Sequence, residues 1–426
     1  SFNTAVGFHS GLAVTTGTYN TLIGGLSGDA LTTGTQNVAV GYNALGAEDT
    51  GSKSVAVGIS ALASQNNDAS NFNVAVGHQA GLSVTTGIEN TLIGSLAGDA
   101  LTDADYNVAL GSAALSSDTL GNRATALGTF ALFSQNFQSA TDNYNVAVGY
   151  AAGNVITTGV QNTLIGGLAG DAITDADYNV ALGYSSLTTN QLGSKSTAIG
   201  TFSLNNQNPA SATDMFNTAV GYAAGGVITT GRYNTIMGGL SGDALTEGSQ
   251  NIAIGYAALT SDTKGSKSIA IGESALYTQN FTTATDTNNV AIGENAGMLV
   301  TTGTNNTFVG ALAGDGTDGG NYNTALGSGA LSANCGNSNV AIGTSAAIAC
   351  TGAVNTVMGT NSGYALTSGG NNLFIGSDSG RTGSPGGNIT TGSNEIVLGD
   401  ENITEAHIQV DWTVASDARD KTDFTA

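Results

Sequence analysis

Apolar and polar positions along this chain recur as a five-residue phrase: an Asn or Ser, two or three small or branched apolar residues, and a closing Gly. The phrase appears twenty-three times between Asn3 and Gly399, and most neighbouring copies start 17 residues apart. A short fixed period marks a stacked array, in which each unit is one coil that cannot bury its apolar side alone. Four or five residues rich in Val, Ile and Thr, bounded by Gly and Asn, have the length and composition of a strand, and nothing nearby sustains helical spacing. The pattern therefore predicts an all-β fold, a parallel β-solenoid or β-roll of about 23 coils.

Side chains of a strand alternate between faces, yet phrases such as Asn37-Val38-Ala39-Val40-Gly41 and Asn90-Thr91-Leu92-Ile93-Gly94 are mostly apolar on both. One face packs inside the coil. A single thin coil has no second apolar layer, so copies of the same chain are expected to supply it, in a parallel homotrimeric rod. Between phrases runs a weaker apolar pair, as in Ala44-Leu45, Ala61-Leu62, Ala114-Leu115 and Ala258-Leu259, which predicts a second short strand in each coil. The closing Gly suits a bend or a positive φ. Two readings stand for the leading Asn: a hydrogen-bonded ladder from coil to coil, or a side chain that tolerates a left-handed turn.

A longer rhythm overlies the short one. The interval widens to 19 residues before Asn73 and to 21 before Asn145, Asn217 and Asn289, so four coils make one unit. The extra residues carry or adjoin Phe72, Phe137, Tyr144, Phe216 and Phe281, which either form a binding face on one side of the solenoid or cover its flank. After Asn306 the intervals drift to 16, 16, 17 and 23 residues. The expected divisions are a regular shaft over 1–305, less regular coils over 306–399 and a connector over 400–415.

Composition agrees with a rod: 63 Gly, 2 Pro and only 9% charged residues describe repetitive β structure. Stacked at about 4.8 Å, the coils would span on the order of 100 Å. A net charge of −22, tripled in a trimer, repels nucleic acid and anionic membrane surfaces. No apolar run is long enough for a membrane helix, and the chain opens at Ser1 inside the first repeat, as an excised or processed piece would. His9, His78 and His407 lie far apart, no metal-site spacing occurs, and neither cofactor nor metal is expected. The recurrent Asp29, Asp99, Asp171 and Asp243, with Asp103, Asp105, Asp175 and Asp177, read either as a carboxylate row for a divalent cation or as solvated turn residues. Cys335 and Cys350 fall at near-equivalent places on adjacent coils, as a disulfide or as two buried thiols.

From Asn394 the text changes, and it carries Ser416-Asp417-Ala418-Arg419-Asp420-Lys421 near its end. This tail resembles the junction in bacteriophage tail fibres and tailspikes where a trimeric stalk meets an intramolecular chaperone of the endosialidase type. The resemblance implies that residues 416–426 begin a truncated chaperone, which assembles the trimer and then cuts itself off. The cut would fall between Ala415 and Ser416, with Ser416 as nucleophile and Asp417 beside it. A base is needed to activate the hydroxyl, and the family supplies a His that would lie past Ala426. Apart from this one-time self-cleavage, no enzyme is expected.

Phrases such as Ser268-Ile269-Ala270-Ile271-Gly272 also resemble the head repeats of trimeric autotransporter adhesins, although the coils here are longer. The two resemblances imply an extracellular or virion-tail structural protein that presents a host-recognition region to a cell-surface receptor, with a glycan as one candidate. The alternatives are a bacterial surface adhesin or filament subunit, and an ice- or glycan-binding solenoid. The Thr residues lie mainly in Thr-Thr-Gly turns such as Thr15-Thr16-Gly17, which counts against ice.

Overall fold

A computed structural model describes residues 2–407. It is an all-β parallel solenoid of about 22 turns, with no helix among the described residues. Each phrase contributes one three-residue strand, and the twenty-three strands from Thr4–Val6 to Ile396–Leu398 pair in one parallel sheet in chain order. Register is strict: Val38, Ala39 and Val40 lie on Val55, Ala56 and Val57, and the same alignment carries through the irregular intervals to Leu373 on Ile396.

Counting the leading Asn as position 1 of a 17-residue coil, positions 1 and 3 point inward and positions 2 and 4 outward. Ala39, Ala109 and Ala181 at position 3 are fully buried. The Asn at position 1 is also fully buried, and it makes the ladder that was one of its two expected roles. The Asn20 Oδ1 accepts the Asn37 backbone N–H at 2.9 Å, while Asn20 Nδ2 donates to the Gly34 carbonyl at 2.9 Å. The same pair of contacts recurs at Asn145, Asn162 and Asn179. Each side chain thus ties its own coil closed and bonds to the next, so its desolvation is compensated. The left-handed residue is the one before it, such as Gln36 at φ 61° or Tyr178 at φ 59°.

The Ala-Leu pairs are not strands, which corrects the expectation of two per coil. Leu45 and Leu62 adopt left-handed conformations at φ 53° and 48°, and their backbones form consecutive turns that let the side chain reach the interior. A conformation that costs an L-residue about 1 kcal/mol is held by full burial of the leucine and by stacking, as in the Leu45 N–H to Ala61 carbonyl bond of 3.0 Å. Among the described residues, second strands occur only where a third coil meets the widened fourth: Gly121–Asn122 pairs with Thr141–Asp142, Gly193–Ser194 with Thr213–Asp214, and Gly265–Ser266 with Thr285–Asp286.

The four-coil unit is also a packing unit. In its first two coils position 9 is Gly and position 12 is Val, Leu or Ile, as with Gly81 and Val84, then Gly98 and Leu101. Leu92, at position 3 of the second coil, fills the space above both glycines: a Cβ on Gly81 or Gly98 would lie 2.8 Å from its methyl groups. In the third and fourth coils position 9 is Leu and position 12 is polar, as with Leu115 and Asp118, then Leu132 and Gln135. Those polar side chains are fully buried. Asp118 Oδ1 accepts the Gly121 N–H at 3.0 Å and the Phe137 N–H at 3.2 Å, and Oδ2 accepts Gln135 Nε2 at 2.6 Å. Asp262 repeats this with Gly265, Phe281 and Gln279, and Glu48 takes Gly51, Gln65 and Asn71.

Burial pushes the Asp262 carboxyl above the ordinary carboxylate range, against the hydrogen bonds from Gln279, Phe281 and Gly265. The folded protein therefore holds this proton more tightly than the unfolded chain does. That contribution to stability is present below the unfolded pKa and is lost as pH rises through the folded one. Melting midpoints measured across mildly acidic to neutral pH should fall less steeply for Asp262→Asn than for the natural chain. Identical slopes would contradict the assignment.

Candidate assembly surface

The outer face of the long sheet is chemically uniform along the whole solenoid. Position 2 is Val, Thr, Ile or Leu and position 4 is Val, Ile, Leu or Met in all twenty-three coils, without one charge. Position 4 is the more open: Leu110, Leu182, Leu326 and Leu398 are each between 44% and 48% exposed. A strip on the order of 100 Å long and 10 Å wide presents about 1,000 Å², beyond the few hundred Å² usual for an apolar patch on a monomer.

Aromatic columns border the strip. Along one side, position 6 carries Phe8, Tyr42, Tyr150, Tyr184, Tyr222 and Tyr256, all more than half exposed. Tyr42 lies over the bare backbone of Gly25 and Tyr184 over Gly167, so that a Cβ on either glycine would sit 3.5 Å from the ring. Along the other side runs position 17, left-handed throughout, where aromatic rings and cations stack. The Arg123 guanidinium stands 4.8 Å from the Tyr106 ring centroid and 5.9 Å from that of Tyr144, and is 3.0 Å from Asp142. Their hydrogen bond holds the Asp142 carboxyl below its usual range. Lys195 repeats the arrangement with Phe216 and Asp214.

The residues singled out by sequence divide between the surface and the interior. Phe72, Tyr144 and Phe216 belong to the position-17 column, about half exposed. Phe137 and Phe281 instead turn inward, 5% and 8% exposed, and cap the buried carboxylates through their backbone N–H groups. Asp99 and Asp243 accept hydrogen bonds from Ser116 and Thr260 of the next coil. Among the described residues, no three His, Cys, Asp or Glu side chains converge as a metal site. Cys335 and Cys350 are buried free thiols, not a disulfide. Thr317 and Asn355 are their hydrogen-bonding neighbours. Burial pushes the Cys350 thiol up to about 11. His9 stacks on Phe8, while His407 is largely exposed beside Glu405. Ser416, Asp417 and the Ala415–Ser416 bond lie outside the described residues.

Sequence reading passed over the buried polar layers. Their signal is present: Glu48, Asp118, Asn190 and Asp262 recur in step with Gln65, Gln135, Gln207 and Gln279, one pair per four-coil unit. The sequence matches no family model, and no curated protein is similar enough to count as a relative.

Proposed function

We propose that this chain is the shaft of a fibre, most specifically of a phage tail fibre, in which three copies pack their outer sheet faces together. The uncharged strip running the length of a rigid solenoid is the observation that carries this reading. Water-exposed Val, Ile, Leu or Met at every coil gains about 25 cal/mol per Å² when covered, and a surface repeated at every coil is best matched by another one built on the same period. The net charge of −22 keeps such rods apart elsewhere on their surface.

The shaft extends a recognition region toward a host surface receptor, with a glycan as the candidate ligand. The tail motif supports maturation by one cut before Ser416, with Asp417 alongside, in a longer chain that brings its own base. In that longer chain Ser416→Ala should leave an uncleaved product on a denaturing gel, and identical migration would end the self-cleavage proposal. Antibodies against residues 1–305 should decorate the tails of virus particles in electron micrographs. Labelling of bacterial cell surfaces instead would favour the adhesin, which the Ser268–Gly272 phrase resembles.

A further inference from the structure

A solenoid of near-identical coils faces a specificity problem that backbone pairing does not solve. Strands Val38–Val40, Val55–Val57, Val74–Val76 and Val146–Val148 have the same sequence, so any could stack on any other with the same ladder. Skipping a coil would extrude a loop of 17 residues, at an entropic cost that grows only slowly with loop length. Something inside the coil must distinguish neighbours.

We infer that the buried layer order, carboxylate then glutamine then two apolar coils, is a register lock that permits restacking only in whole four-coil units. Asp118 receives two of its three hydrogen bonds from the coil that follows it, at Gln135 and Phe137. Glu48 likewise receives Gln65 and Asn71, and Asp262 receives Gln279 and Phe281. Stacked one or two coils out of phase, the same carboxylate would face the Ile156 or Ile173 layer with those donors gone. A buried charge stripped of partners is strongly destabilising. The apolar layers discriminate in the same direction, because a Leu at position 9 clashes where a Gly is required, and a Gly leaves a void where a Leu is required.

Unit three contains the natural exception. Asn190 replaces the acid, and its amide both accepts from the Gly193 N–H at 2.9 Å and donates to the Gly193 carbonyl at 2.7 Å, closing on its own turn. Gln207 then bonds Ser196 and Asn217. Asn190 itself needs no donor from the next coil, so the lock is carried by units one, two and four. Such use of a buried polar group to fix register is the best-attested return on its desolvation.

Two experiments test the inference, and neither depends on what covers the outer face. Deleting residues 73–144 removes four coils and leaves every remaining interface of a native kind. Deleting residues 73–123 removes only three, and sets the Gln65 coil directly on the Gln135 coil. The larger deletion should keep a single cooperative melt near the natural midpoint, and the smaller should lose several degrees and broaden. In the second experiment, Gln135→Met and Gln207→Met make the same nearly isosteric change, but only the first leaves a buried carboxylate oxygen, Asp118 Oδ2, without its donor, so it should lower the midpoint severalfold more. Asp118→Asn should recover much of that loss. Equal melting of the two deletions, or equal effects of the two methionines, would overturn the lock.

Discussion

Gly166→Ala should be among the most damaging single substitutions in the shaft, while Gly167→Ala, one residue on, should be nearly silent. Gly166 closes its phrase at φ +135°, a region that L side chains rarely enter, and a Cβ there would lie 2.5 Å from the Gly183 carbonyl oxygen. Neither backbone can yield, since Gly166 N–H is held by Val148 at 2.8 Å and Gly183 N–H by Ile165 at 2.8 Å. Conformational strain and overpacking together cost on the order of 3–5 kcal/mol. At Gly167 the nearest atom to an added Cβ is a Tyr184 ring carbon at 3.5 Å, ordinary contact, and the change should stay within about 0.5 kcal/mol. Unfolding in denaturant separates the two, and coincident transitions would refute the argument. From Gly7 to Gly359, every closing Gly meets the carbonyl group of the next one in the same way.

The second large effect concerns assembly. Ile165, Leu182 and Ile199 stack at position 4 of three successive coils on the uncharged outer face. Replacing all three with Glu places nine carboxylates in the seam of a trimer, each costing several kcal/mol if buried without a partner. Light scattering should then find particles of 42.0 kDa, the mass of one chain, in place of three times that mass. Gln138→Glu with Ser139→Glu, on an exposed turn of the widened coil, should leave the mass unchanged. A triple variant that retains the natural mass would remove this face from the interface.

The strands were legible because their signal is local: branched residues bounded by Asn and Gly say strand in any context, and a constant spacing says solenoid. The Ala-Leu segments were misread because left-handed leucine has no sequence signature. The conformation is imposed by the stack, and the same two letters would suit a strand elsewhere. The four-coil rhythm was visible through its widened intervals, but its physical core was not. Asp118 and Gln135 look like turn residues until the coil is closed around them, and only their pairing across coils gives them meaning. The outer face was readable from the two-sided apolar phrases, whereas the bordering tyrosines at position 6 became a column only when coils were stacked. Ser416 and Asp417 rest on resemblance, because nothing in their local sequence apart from that motif distinguishes them from a turn.

The measurement that bears most directly on the central claim is an averaged electron-microscopic cross-section of the purified rod. Three coil profiles should appear around one axis, each turning the edge that carries Val38, Val40 and their equivalents inward, with the widened coils pointing out. A field of single coils, each with that edge facing solvent, would contradict the account.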